Sequence, residues 1–245
     1  MFKLRSYKKE LDYSYALGTF SVLEILKHAP NLVDQVVILD APKKKSKEQE
    51  IITLCEKNNI PFSINKHKIF ALAPKANTYA IAVFKKYYKD LETNKNHIVL
   101  FSPSNLGNLG MILRTMLVFG FFDLAIIRPG ADIFDPKVIA SSVGGIFQIR
   151  VQYFNSLKEY SLVYPRNYFT FVLKNGKDIR DINFSSASSK GLNFSLIFGN
   201  EARGLSLSDS LLGEQVTIPQ KSDFDSLNLA NAVTISIWEA TRRSR

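Results

Sequence analysis

Residues 196–239 read LIFGNEARGLSLSDSLLGEQVTIPQKSDFDSLNLANAVTISIWE. The apolar run at 195–198, bounded by Gly199, predicts a buried strand. Gly199 and Gly204 then bracket a turn, Asn200-Glu201-Ala202-Arg203. A second short strand over 216–218 stops at Pro219, which cannot donate to a ladder. A polar loop over 220–226 follows, and a last helix starts near Leu227. Loops leaving the carboxyl ends of strands are where an open α/β sheet binds its ligand. The site is expected at these two loops.

The glycine spacing imitates a phosphate-binding P-loop, but Gly204 is followed by Leu205 and Ser206, so the lysine that would reach the phosphates is missing. Glu201 would also repel phosphates, so nucleotide triphosphate binding is excluded. The plain alternative is a glycine-bounded turn that merely links a strand to a helix.

The chain has 245 residues, 46% hydrophobic and 22% charged, enough apolar content for one large core or two smaller ones. No run reaches the ~18 apolar residues of a membrane span, and the charged N-terminus lacks the apolar core of a secretion signal. Cys55 is the single cysteine, which excludes an intrachain disulfide, and with His28, His67 and His97 alone no zinc site is expected. These readings give a cytoplasmic protein with neither membrane nor metal partner. The net charge of +10 favours a polyanionic partner, because each phosphate neutralised releases counterions. A generally lysine-rich composition would give the same charge, and Lys43-Lys44-Lys45 reads as a solvated loop.

Residues 14–85 alternate helices at 19–27, 48–58 and 69–73, the last stopped by Pro74, with strands at 36–39, 61–64 and 79–84. That is a small α/β sandwich of about the minimum domain size. The polar stretch 85–96 breaks the pattern and marks a linker. Beyond it come a strand at 98–101, a loop at 102–110, a helix at 111–119 ended by Gly120 and a strand at 124–127. A helix at 135–147 and strands at 149–151 and 168–173 complete the run. Alternating β and α predicts a mostly parallel, covered sheet. No strand-to-helix turn carries G-x-G-x-x-G, so a dinucleotide site is not supported.

Three segments resemble, in order, the three motifs of the SpoU/TrmH family of the SPOUT superfamily. They are Asn108-Leu109-Gly110-Met111-Ile112-Leu113-Arg114-Thr115; Phe198-Gly199-Asn200-Glu201-Ala202-Arg203-Gly204-Leu205; and Ile218-Pro219 with Ser226-Leu227-Asn228-Leu229-Ala230. Pro136-Lys137-Val138 and Ser142-Val143-Gly144-Gly145-Ile146-Phe147 resemble a lesser signature of the same family. Residues 14–85 are more weakly similar to the ribosomal-protein-like RNA-binding domain that often precedes its catalytic domain. Leu106 and Met111 depart from the family's usual proline and alanine, and Asn77-Thr78-Tyr79 from its usual His-Gln-Gly.

The resemblance implies an S-adenosylmethionine-dependent RNA ribose 2'-O-methyltransferase. Its domains would be an α/β RNA-binding domain at 1–90, a linker at 91–96 and, at 97–245, a parallel-sheet methyltransferase domain with a deep trefoil knot. It also implies a homodimer with a shared active site, acting on RNA, with rRNA (23S first) ahead of tRNA. The alternative is a catalytically silent RNA-binding protein of the same fold.

By resemblance, Leu173, Phe198, Gly199, Asn200, Gly204, Ile218 and Leu227 hold the cofactor, largely through backbone groups. Asn108, Arg114, Glu201, Ser226 and Asn228 would serve the reacting ribose and brace its loops. Arg114 is the family's candidate base, although a guanidinium's more comfortable task is pairing with a phosphate. Ser226 and Asn228 are also good helix N-caps, a role compatible with ligand contact. Arg114 is expected to lie near the Asn108 turn and to project toward the ligand edge of the sheet.

Overall fold

A computed structural model of the chain describes residues 4–73, 78–184, 193–221 and 226–242. Pro74, Asn77 and residues 222–225 of the polar loop, all invoked above, lie outside the described residues. In chain order the first elements are β1 (Tyr13–Leu17), α1 (Thr19–His28), β2 (Val33–Ile38), α2 (Lys47–Lys57), β3 (Phe62–Ile64), α3 (Lys66–Leu72) and β4 (Ala80–Lys85). Next come β5 (His97–Phe101), α4 (Leu106–Val118), β6 (Asp123–Ile127), α5 (Pro136–Ser141), β7 (Arg150–Phe154), α6 (Leu157–Val163), β8 (Asn167–Phe171) and β9 (Lys177–Asp178). The last are β10 (Phe194–Phe198), α7 (Leu207–Ser210), β11 (Glu214–Thr217) and α8 (Leu229–Arg242).

The chain divides into two compact units, 1–87 with 132–148, and 88–131 with 149–245. The sequence predicts a linker at 91–96 and places 132–148 in the second domain. In the structure that segment packs on the first unit instead. Lys86 Nζ lies 2.8 Å from the buried Asp132 carboxylate, which the Tyr7 hydroxyl also meets, and the Phe84 ring packs edge-on against Phe134 and Phe147. The expected single helix over 135–147 is α5 followed by a turn and a 3-10 segment, Gly145–Gln148. Val143 and Gly144 adopt positive φ, and a Cβ at Gly144 would sit 2.8 Å from the Cβ of Glu24 on α1. Close approach to α1 therefore sets that turn.

The first unit has a four-stranded sheet in the order β1-β4-β2-β3, with β4 antiparallel to both neighbours. β1 was not read from the sequence, because its Tyr-Ser-Tyr-Ala run breaks the apolar pattern, yet Tyr13, Ser14, Tyr15 and Ala16 are all buried. α2 opens on Ser46, whose hydroxyl accepts from the Gln49 amide at 3.3 Å.

In the second unit a seven-stranded sheet runs β7-β6-β5-β10-β8-β11-β9, and every pairing is parallel. Strands covered on both faces read as unbroken apolar runs; β6 and β10 are buried at every residue. The missed helix α6 carries its own start signal, since Ser156 caps the Glu159 amide at 3.0 Å and Glu159 returns to the Asn155 amide at 2.7 Å. Among the described residues no helix is long and apolar enough to cross a membrane.

His97, at the start of β5, is fully buried and bonded to the Tyr160 hydroxyl (2.9 Å) and the Glu92 carbonyl (2.8 Å). Burial, with help from the Arg166 charge, pushes it down from 6.5 to about 4. Between those values the unfolded chain binds the extra proton. Its contribution is therefore complete above pH 6.5 and is lost as pH falls toward 4, by at most about 3 kcal/mol at 1.36 kcal/mol per unit. The expected outcome is an imidazole that stays neutral at pH 5.5, read by NMR, with falling urea stability over that window. A normal His97 titration near 6.5 would contradict this.

Candidate active site

Because the seven-stranded sheet is all-parallel, the loops after β5, β8, β10 and β11 leave from one edge, and β5 and β10 are hydrogen-bonded neighbours. The loop after β10 is closed by Asn200 and Gly204, whose backbones exchange hydrogen bonds of 3.1 and 2.9 Å. Gly204 has φ +65°, and the Asn200 side chain accepts from the amides of Ala202 and Arg203. A Cβ on Gly199 would lie 2.6 Å from the Gly204 carbonyl carbon. The bare backbone expected at Gly199 for a ligand is thus required first by the turn itself.

The same loop is fastened to the loop after β5. Asn200 Nδ2 donates to the Ser102 carbonyl at 2.7 Å. The Glu201 carboxylate accepts from the Ser104 amide (3.4 Å), the Ser104 hydroxyl (3.3 Å) and the Asn105 amide (3.4 Å). It therefore sits at the start of α4, where negative charge is favoured. α4 begins at Leu106 rather than at the expected 111, because Asn105 caps it by accepting from the Asn108 amide at 2.9 Å. Asn108 is accordingly in the first helical turn and not in a loop.

The third motif joins the first. Asn228 Nδ2 donates to Asn108 Oδ1 at 3.1 Å. Asn228 also caps α8, its side chain accepting from the Ala230 amide at 2.9 Å and its carbonyl from the Ala232 amide at 2.9 Å. α8 lies along α4 through Thr115 and Thr234 (3.3 Å) and the Phe119–Trp238 rings.

The remaining expected residues divide. Ile218 and Leu227 are half-buried and Ser226 is exposed. Leu173, 66% exposed, lies just beyond β8. Phe198 is buried and stacked on Phe171 at 4.5 Å, so its ring serves the core and only its backbone can face a ligand. Arg114 is exposed, with no hydrogen bond or ion pair among the described residues. Six residues beyond Asn108, it lies about 9 Å further along α4 at 1.5 Å per residue and points off that residue's face. It shares its outward face with Met111 and Val118.

Sequence reading missed Ser102, Ser104, Asn105 and Gly176. Asn105, three residues before Asn108, carried a readable N-cap signal. Gly176 carried none. It donates to Thr217 Oγ1 at 3.0 Å, Thr217 donates to the Val172 carbonyl at 3.2 Å, and a Cβ on Gly176 would meet Thr217 at 2.6 Å.

Residues 95–238 match the SpoU rRNA Methylase family, and the chain belongs to that family. A 23S rRNA (uridine(2479)-2'-O)-methyltransferase of Streptomyces viridochromogenes is 32% identical over 155 residues, 59% of this chain and 52% of the relative. The chain thus matches about half the length of that relative. The structure of the SpoU methyltransferase AviRb from the same organism, in complex with AdoMet, has a TM-score of 0.79 at 21% identity, covering 95% of this chain and 91% of that one. A structure concerning 2-OH methylation of C/U34 on tRNA has a TM-score of 0.55 at 25% identity, covering 62% and 98%.

Asn228→Asp keeps the cap acceptor but replaces the donor facing Asn108 with an oxygen. It is expected to retain nearly the wild-type melting temperature while weakening ligand binding at this edge about tenfold or more. Asn228→Ala should lose both, with a stability cost of about 1 kcal/mol. Equal ligand affinity in wild type and Asn228→Asp, by calorimetric titration with S-adenosylmethionine, would remove the cross-loop bond from the site.

Proposed function

We propose that this chain transfers a methyl group from S-adenosylmethionine to a ribose 2'-hydroxyl of structured RNA. The observation that carries the reading is a chain of bonds at one sheet edge: Glu201 of the second motif to Ser104 and Asn105, which lead into the first, and Asn228 of the third to Asn108 of the first. Membership of the SpoU rRNA Methylase family over residues 95–238 supports the enzyme over a silent RNA-binding protein of the same fold.

The edge suits the cofactor. Leu173 is exposed just after β8, and Ile218 and Leu227 are half-buried after β11 and before α8; with main-chain groups of the Gly199–Gly204 turn they would suit an adenosine. S-adenosylmethionine would supply an activated methyl on a sulfonium centre, whose departure as a neutral thioether calls for no metal. Glu201 and Asn228 hold the loops and Asn108 braces the first motif, with Ser226 beside them at the ribose. Arg114 we assign as a phosphate clamp, since a planar guanidinium pairs bidentately with phosphate.

Self-association completes the site in this reading. Met111, Val118, Ile235 and Trp238 are 52%, 74%, 39% and 55% exposed on the two packed helices α4 and α8, the first of which carries Arg114, unpaired among the described residues. A homodimer through that face would cover them and carry each Arg114 to the partner's edge. The deep knot has support in the chain's path, since β10 lies between β5 and β8 while α8, the last described element, returns to α4 at the same edge. A cytoplasmic enzyme with the first unit as its RNA-binding domain fits the +10 charge. We keep rRNA ahead of tRNA as the substrate in this reading, although relatives directed at each are found.

Calorimetric titration with S-adenosylmethionine, followed by mapping of 2'-O-methyl marks in RNA from cells with and without the gene, tests the whole reading. No binding would leave a silent RNA-binding protein. Arg114→Ala is expected to abolish transfer with cofactor affinity and melting temperature unchanged. Arg114→Lys should rescue little and keep the wild-type pH profile, because lysine loses the planar fork. Substantial activity with a profile displaced to lower pH would instead make residue 114 the base.

A further inference from the structure

In the first unit β1, β2 and β3 run the same way and β4 runs against them. The loops after β1 and β2 and the residue before β4 therefore meet at one edge. There Leu17, Gly18, Thr19, Phe20, Lys47 and Tyr79 help to line an open cleft of about 600 Å³. Two of its walls are aromatic and outward-facing, Phe20 at 56% and Tyr79 at 48% exposed. Neither ring stacks on another ring among the described residues, and the Tyr79 hydroxyl has no partner among them. Lys47 Nζ lies over one face of Phe20, whereas the Tyr79 ring has no such cover among the described residues, and a cleft with an aromatic wall and a cation beside it suits a planar, anionic ligand.

The charge around the cleft names the ligand class. Lys47 Nζ lies 3.3 Å from the centre of the Phe20 ring, and Lys43, Lys44 and Lys45 precede it on the same loop, all exposed. Residues 1–87 hold fifteen Lys and Arg against eight Asp and Glu, which puts most of the chain's +10 in this part. α1 also starts here on Gly18 without a side-chain cap or a first-turn acid, adding its positive end to the field. Glu48 is an acid on the wall. Its Oε1 accepts from the Thr19 hydroxyl at 3.1 Å, while Oε2 accepts nothing among the described residues and remains available to a base N–H.

We propose that this cleft takes one unpaired, splayed-out base of the RNA substrate, stacked on Tyr79 or on the Phe20 face that Lys47 leaves when it turns to a phosphate, with the flanking phosphates on Lys43 to Lys47. Aromatic platforms interleaved with lysines serve unstacked single-stranded RNA, because every base has a π-face and each phosphate attracts a cation. A rigid duplex could use the lysines but could not fill the cleft. The proposal rests on RNA being the substrate, and it adds a contact made outside the sheet edge where the methyl group would be transferred.

The test uses the full chain and a short single-stranded oligouridylate carrying one 2-aminopurine, with heparin as a polyanion that lacks bases. Binding should quench the 2-aminopurine. Phe20→Ala and Tyr79→Ala should each weaken strand binding about tenfold, within the range for one stacked base, and leave heparin affinity unchanged. Phe20→Leu keeps apolar volume without a π-face and should behave like Phe20→Ala. Lys47→Gln should weaken both ligands and reduce the salt slope by about 0.7. Wild-type strand affinity in the aromatic variants, or equal losses for strand and heparin, would overturn the proposal. S-adenosylmethionine titration of the same proteins separates the two readings. Cofactor binding without aromatic dependence of RNA binding removes the cleft alone, and aromatic dependence without cofactor binding removes the transferase alone.

Discussion

Six strand pairings, all parallel, hold the second unit's sheet together, and from that single constraint the rest of the candidate site follows. Parallel strands end on one edge, so each carboxyl terminus delivers its loop to the same side. β10, late in the chain, lies beside β5, the first strand of the unit, and the order of connections reverses between them. Two loops separated by about a hundred residues thereby come within hydrogen-bonding reach. Asn200 to Ser102, and Glu201 to Ser104 and Asn105, are the bonds that use this reach.

Loops at such an edge have no ladder to satisfy their backbone groups, and side chains must do it. Here those side chains belong to the motifs. Asn200 serves two amides of its own turn and a carbonyl of the next loop. Glu201 occupies the start of α4, and Asn228 caps α8 while bonding Asn108. Each polar residue thus has a structural duty that fixes its position before any ligand arrives, which is the preorganisation that transfer chemistry requires. Arg114 differs in kind, since it has no such partner among the described residues.

What the sequence disclosed follows the range of each interaction. The apolar runs of β5, β6 and β10 were legible because burial on both faces leaves no alternation to decipher. The Gly199–Gly204 turn was legible as a turn, but its cause was not. The close approach lies between the two glycines, and no local rule shows a Cβ meeting a backbone five residues on. α4 was started five residues late because Gly107 and Gly110 read as loop, whereas the Asn105 cap and the Glu201 carboxylate hold that turn helical. Gly144 reads as a helix glycine until α1 is brought against it. Phe198 reads as part of a motif until Phe171 stacks on it. In each case the deciding partner is distant in sequence. The motif residues themselves were legible only through resemblance, since spacing alone also fits a plain turn and two helix caps.

The solitude of Arg114 bears on how the proposed enzyme is assembled. A free arginine on a helix surface samples many rotamers, and immobilising one costs about 1.5–2 kcal/mol. Among the described residues no hydrogen bond or ion pair offsets that cost. The neighbours Met111 and Val118, with Ile235 and Trp238 on α8, are apolar and open. Pairing two such faces would bury the apolar groups, and that gain is of the size needed to order the guanidinium beside them. A phosphate clamp that forms only on pairing would make activity a property of the dimer. The sheet edge fastened by Glu201 and Asn228 belongs to each chain by itself, so cofactor binding would survive in a monomer while transfer would not.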